Sequence, residues 1–203
     1  MESKMDSAKS SAYDSDRLKG KKLLIFDMDG TLFDTSESNY WAYHDAAAEL
    51  GYEIEHVKFL NVFVGKNYKE FLPQFGIEDD AVHKKIHDIK KAKYKHYFDK
   101  IRKNEELFKL MSNVKGKCKI ALATTASKKN TYEILDFFRV NDFFDFILTQ
   151  DDVNNLKPNP ECYNKVMEIM KVSPKDTVIF EDSEVGIKAA TLSGASVIKV
   201  AAF

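Results

Sequence analysis

Apolar runs in this chain stop abruptly on a charged or hydroxyl residue. Lys22–Phe26 gives way to Asp27, Ile120–Ala123 to Thr124, Phe146–Leu148 to Thr149, and Val178–Phe180 to Glu181 and Asp182. Short apolar runs separated by helical periodicity read as buried parallel strands. Residues 36–50 read as a helix: Ser36 is a capping residue, Glu37 suits the first turn and Gly51 the end. Tyr40, Tyr43, Ala47 and Leu50 mark its apolar face. Further helices are expected over 66–75 and 79–97, with no clear strand between 37 and 100. From 102 onward the alternation is regular. Helices are expected over 105–114, from Ser127 to 138, from Asn159-Pro160 onward and over 185–192, with strands at 119–123, 143–148, 177–180 and 196–200.

The expected fold class is therefore α/β: a Rossmann-like parallel sheet flanked by helices, with a small helical cap inserted after the first strand. The expected division is a polar, disordered arm over 1–19, an α/β core over 20–36 and 101–203, and the cap over 37–100. In an open parallel sheet, ligands bind beyond the carboxyl ends of the strands. The polar residues that end the runs would meet at that edge.

Composition narrows the function classes. The 203 residues carry 31 basic and 32 acidic side chains, so no overall field favours nucleic acid or an anionic membrane. No apolar run reaches membrane-spanning length. The first twenty residues lack an apolar signal core, and their acidic residues argue against a transit peptide. Cys118 and Cys162 show neither metal-ligand spacing nor a disulfide framework, which points to a reduced, cytoplasmic setting. No nucleic-acid or membrane partner is expected, and the chain is expected to act as a monomer or weak dimer. The lysines between 84 and 95 read as a solvated helix face, and His83, His87 and His96 as surface or packing residues rather than ligands.

The string DMDGTLFDT places two carboxylates, Asp27 and Asp29, two residues apart at a strand end, followed by Gly30, which permits a tight turn. One carboxylate can attack phosphorus, and the other can serve as general acid and then base. Two carboxylates facing a phosphate need a cation. Glu181 and Asp182 at another strand end offer oxygen ligands of the kind Mg²⁺ prefers. Lys157 supplies a positive charge, Thr124 a hydroxyl, and Thr125 and Ala126 backbone N–H groups for a phosphoryl group.

DMDGT, Thr124, Lys157-Pro158-Asn159-Pro160 and VIFEDSEVGIKAA resemble, in order, the four motifs of the haloacid dehalogenase superfamily of phosphohydrolases. The likeness runs from about residue 21 to 200 and is nearest to the β-phosphoglucomutase and phosphoglycolate-phosphatase-like branch. The resemblance implies Asp27 as nucleophile and Asp29 as general acid/base. It implies Mg²⁺ held by Asp27, the backbone carbonyl of Asp29, Asp182 and, directly or through water, Glu181. Thr124 and Lys157 would grip the phosphoryl group, and Thr31 would support the loop and the geometry of Asp29.

An acid at Asp29 fits ester hydrolysis or phosphomutase chemistry, while a non-catalytic phosphate-ligand-binding regulator is the third alternative. Related mutases carry a cap histidine and a loop arginine; here Asn39 and Tyr68 stand at those positions, which favours hydrolysis. Asn67, Tyr68 and Lys66, just after Gly65, together with Asn39, are the expected contacts in the cap for the expected partner, a small phosphorylated metabolite. Most cap aromatics, Tyr40, Trp41, Tyr43, Phe59, Phe63, Phe71 and Phe75 among them, read as cap core.

Overall fold

The computed structural model describes residues 15–63, 66–201 and 203. Most of the expected arm, residues 1–14, and Gly65 of the expected substrate loop lie outside the described residues. In chain order the first half contains helix α1 (Ser15–Leu18), strands β1 (Leu23–Phe26) and β2 (Phe33–Asp34), and helices α2 (Ser36–Ala48), α3 (His56–Phe63), α4 (Tyr68–Phe71) and α5 (Asp80–Lys93). Strand β3 (Arg102–Lys103) follows, then α6 (Glu105–Val114), β4 (Lys119–Ala123), α7 (Lys128–Phe138), β5 (Phe146–Leu148), α8 (Glu161–Met170), β6 (Thr177–Glu181), α9 (Glu184–Leu192) and β7 (Ser196–Lys199). The end of the expected arm differs in two respects. Residues 15–18 are helical, and Arg17 donates a hydrogen bond to Val197 O while Leu18 packs on the main core.

Five strands form one parallel sheet in the order β5-β4-β1-β6-β7. The central strand shows why its sequence is an unbroken apolar run. Leu24 and Phe26 enter a core with α6 and α7, whereas Leu23 and Ile25 enter a second core with α8 and α9. A parallel strand covered on both faces has no polar side to display. Phe26 and its partner Phe180 stack with centroids 4.5 Å apart, tying β1 to β6. The chain runs outward from β1 through β4 to β5, then crosses back to β6 on the other side of β1. The carboxyl end of β1 is thus a topological switch point, where such sheets open a crevice.

The segment between β2 and β3 has its own apolar cluster, in which Tyr40, Tyr43, Phe59, Phe71, Leu72, Ile77 and Ile86 are buried. The aromatics expected as cap core are mostly so placed, although Trp41 is exposed. The antiparallel β2–β3 ribbon, two residues per strand, closes the neck of this segment and is not legible as a strand pair in the sequence. Helix α3 likewise lacks an obvious start signal. Its first N–H groups are met by Glu55, which accepts from Val57 N and Lys58 N, instead of by a hydroxyl or Asx cap.

Helix α5 corrects one expectation: its lysines are not all on a solvated face. Lys90 is buried, with its ammonium 3.7 Å from the Tyr94 ring centroid and 5.2 Å from that of Tyr43. The histidines of this helix do pack. His83 Nε2 donates to Ile77 O, and the ring of His87 stacks on Tyr68 at 4.1 Å while sharing a hydrogen bond with the Tyr43 hydroxyl.

Burial and the neighbouring lysine charges hold the half-buried His87 imidazole down at about 4. A folded-state value below the unfolded one near 6.5 means that stability is full above pH 6.5 and is lost as pH falls toward 4. Because the ring is partly exposed, the expected loss is about 1–2 kcal/mol. Urea unfolding at pH 7 and pH 4.5 checks this, and His87→Phe should remove that share of the difference.

Candidate active site

Asp27 follows directly on β1, its N–H donating to Phe180 O at 3.0 Å and so extending the β1–β6 ladder by one residue. The next residues turn back sharply: Gly30 N donates to Phe33 O, and Leu32 N and Phe33 N both donate to Met28 O. Gly30 sits at φ +86°, and a Cβ there would overlap the Asp182 carboxylate. Both facts require glycine. The parallel pairing of β1 with β6 sets their carboxyl ends side by side. Oxygens of Asp27, Glu181 and Asp182 lie within 4.8 Å of one another, the one such acidic group among the described residues.

Lys157 reaches this cluster from the loop before α8, after which the Lys157–Pro158 peptide is cis. Its ammonium donates to Asp27 Oδ1 at 2.5 Å, to Glu181 Oε1 at 2.5 Å and to Ala123 O at 3.3 Å. Burial alone would push this ammonium down, but Asp27, Tyr163 and Glu181 outweigh it and hold it well above the usual lysine range. Asp27 is pushed up by burial and by Glu181, against the pull of Lys157. Asp182 is raised by burial, against a hydrogen bond from the Thr31 hydroxyl at 2.8 Å. Two carboxylates share one ammonium and a third stands beside them, so the cluster is short of positive charge. Hard oxygen donors with a charge deficit suit a divalent cation.

The carboxylates divide the work. Both oxygens of Glu181 are already engaged: Oε1 accepts from Lys157 and from the Tyr163 hydroxyl, and Oε2 from Ser183 N and its hydroxyl. Glu181 is fully buried, and Gly186 leaves room for it, since a Cβ there would overlap its carboxylate. Asp27 and Asp182 face a cleft of about 740 Å³, as do Asp29, Gly30, Asn39, Lys66, Asn67, Thr125, Lys157 and Glu181.

The remaining sequence-derived positions lie close behind this surface. Thr124 is buried, its hydroxyl accepting from Ala126 N at 3.0 Å, which fixes the turn that presents Thr125. Thr149, which also ends an apolar run, stays out of the site and bonds Asp152 instead. Tyr68, expected as a substrate contact, does not line the cleft; its ring stacks on His87 instead.

Thr31 supports Asp182 rather than Asp29; the hydroxyl that holds Asp29 belongs to Thr35, whose Oγ1 donates to Asp29 Oδ1 at 2.7 Å. Thr35 precedes α2 in the capping position but spends its side chain on Asp29, leaving Ser36 as the first helical residue, with its N–H taken by Asp34. Burial raises the Asp29 carboxyl, while Thr35, Lys90 and Lys157 draw it back. Asn39 Nδ2 is committed to Thr35 O and the Tyr94 hydroxyl, so this residue orders the neck around Asp29.

Thr35, Tyr163 and Lys90 are the contributors that sequence reasoning misses. Thr35 closes the string DMDGTLFDT itself. Tyr163 falls on the buried face of α8, where a phenol needs a partner. Lys90 falls on the face of His83 and Ile86, a lone cation on a buried stripe.

Comparison with known proteins places the chain in a family. The family profile of haloacid dehalogenase-like hydrolases matches residues 24–200. A phosphorylated carbohydrates phosphatase of Thermotoga maritima is 32% identical over 177 residues, covering 84% of this chain and 81% of that protein. A pyrophosphatase, PpaX, of Bacillus cereus is 24% identical over 172 residues, covering 79% and 74%. Among solved structures, CbbY of Rhodobacter sphaeroides in complex with phosphate superposes with a TM-score of 0.74 at 25% identity, covering 90% of this chain and 87% of that one. A mutant of CbbY has been solved in complex with xylulose-(1,5)bisphosphate. With its motifs, sheet order and carboxylate cluster in place, the chain belongs to the haloacid dehalogenase-like hydrolase family.

Proposed function

We propose that the protein is a Mg²⁺-dependent phosphatase that hydrolyses a small phosphate monoester through an aspartyl-phosphate on Asp27. The observation that carries the reading is the pairing of Asp27 with Lys157 at the switch point, with Asp29 two residues on and held by Thr35. An oxygen of Asp27 forms a bond to phosphorus as the ester P–O bond breaks. Asp29, whose hold on a proton is strengthened by burial, gives its proton to the departing alkoxide. Asp29, now a carboxylate, takes a proton from water as the water oxygen bonds phosphorus. The P–O bond to Asp27 then breaks, releasing phosphate and restoring the carboxylate.

Lys157 holds Asp27 in line and balances negative charge on the phosphoryl oxygens. The backbone N–H of Thr125 and the hydroxyl of Thr124 are the proposed phosphoryl contacts opposite it. Asp27, Asp182 and the backbone carbonyl of Asp29 would hold Mg²⁺, with Glu181 anchoring Lys157 beside them. The bound cation would neutralise the transferring phosphoryl group. The helical segment over 37–100 serves as a cap that excludes bulk water during transfer.

A mutase needs a clamp for a second phosphate. The stacking of Tyr68 on His87 and the commitment of the Asn39 amide to the neck both speak for hydrolysis instead. Phosphate release from p-nitrophenyl phosphate with added Mg²⁺ tests the proposal. Turnover should fall at least about a hundredfold in excess chelator and return when Mg²⁺ is restored. Equal rates with and without chelator would overturn the metal assignment.

A further inference from the structure

We infer that Glu70 makes this cleft selective for monophosphates of uncharged, hydroxyl-bearing groups and turns away substrates carrying a second anion. The inference rests on the phosphatase reading above. Asp27, Asp29 and Lys157 line the cleft where the chemistry takes place, and the segment after α3 supplies a wall with Lys66, Asn67 and Glu70.

The positive charges are largely spent. The Lys157 ammonium is engaged by Asp27 and Glu181. Arg102, at the neck, is bound to the cleft-lining Asp34, with its guanidinium 2.5 Å from Asp34 Oδ2. Among the described residues that line the cleft, this leaves Lys66 as the remaining cation, and Glu70 stands four positions along the same wall. A second phosphate or carboxylate is bound well only where several donors and cations converge.

Glu70 cannot simply swing aside. Its Oε2 accepts from Asn67 N at 2.8 Å, completing the capping box that begins α4. Moving the carboxylate would break the capping box by taking away the acceptor of Asn67 N, although Asn67 Oδ1 would still accept from Lys69 N. The Glu70 carboxylate is therefore held on the same wall as the remaining cation, Lys66, and a second anion brought next to that carboxylate is penalised. The neutral lining suits hydroxyls: Asn130 and Gln150 offer amides, while Phe63 and Leu156 offer apolar contact to C–H faces. A sugar or polyol meets both.

The test compares kcat/KM of the full chain with Mg²⁺ for fructose 6-phosphate, fructose 1,6-bisphosphate, phosphoglycolate and p-nitrophenyl phosphate. The sugar monophosphate should exceed the bisphosphate and phosphoglycolate by at least about tenfold. Glu70→Gln, which keeps the capping box, should narrow that preference at least about threefold, mainly through KM for the doubly anionic substrates. Hydrolysis of p-nitrophenyl phosphate combined with equal or faster turnover of the bisphosphate overturns the selectivity while leaving the phosphatase reading intact. An unchanged preference in Glu70→Gln overturns the role of Glu70. No hydrolysis of any of the four esters overturns the phosphatase reading and this inference with it.

Discussion

Asp27→Asn should lower phosphate release by at least about a thousandfold while leaving the fold intact. The amide cannot form the bond to phosphorus that the carboxylate forms, and among the described residues no other carboxylate is placed to replace it. Glu181 has both oxygens engaged, and Asp182 is held by Thr31. The change is mild for the structure. The carbonyl oxygen of the substituted amide still accepts from Lys157, and one of the two carboxylates that compete for that ammonium becomes neutral. Stability should therefore change by less than about 1 kcal/mol, or rise. Steady-state phosphate release and urea unfolding on the same preparation separate the two effects. A variant that is stable and near wild-type in turnover would remove Asp27 from the mechanism.

Lys157→Met should cost both activity and stability. The Lys157 ammonium lies 4.9 Å from the Tyr163 ring centroid, and Met preserves much of the side-chain volume, so the lost quantity is mainly charge. Without the ammonium, Asp27 and Glu181 face each other with side chains only 10% and 1% exposed. Removing one partner from a buried ionic group typically costs about 3–5 kcal/mol. The carboxylates can escape part of that cost by taking up a proton. The deficit should accordingly be largest above pH 7 and should shrink at pH 5. Added Mg²⁺ should restore part of the stability by supplying a cation, but not the activity. Urea unfolding across pH, with and without Mg²⁺, checks the pattern. A loss below about 1 kcal/mol at pH 8 in chelator would show that the triad is not strained without its lysine.

What can be read from sequence follows from how far each contact reaches. β1, β4 and β6 are legible because strands covered on both faces must be apolar throughout, and their polar last or following residues mark the ligand edge. Helix 105–114 is legible to the residue because Asn104 caps it and Glu105 and Glu106 fill its first turn. The β2–β3 ribbon is not, since two residues cannot display a period of two.

In the site, Asp27, Lys157, Glu181 and Asp182 each sit in a local motif, and the sheet order alone brings them together. The supporting hydroxyls are different. Thr31 and Thr35 lie four residues apart in one string, and which of them meets Asp29 depends on the path of the turn at Gly30. Lys90 escapes a sequence reading because a lysine-rich helix offers many candidates, and only the rotation of α5 against Tyr43 and Tyr94 buries one of them.

The most direct test of the account is to find the phosphoryl group on the protein. Asp29→Asn enzyme, which lacks the base for the second step, should accumulate the intermediate when mixed with p-nitrophenyl phosphate and Mg²⁺ and quenched in acid. Peptide mass spectrometry should then place a hydroxylamine-labile phosphoryl group on Asp27. Substoichiometric label with steady turnover, or a phosphoryl group on any other residue, would contradict an aspartyl-phosphate at Asp27.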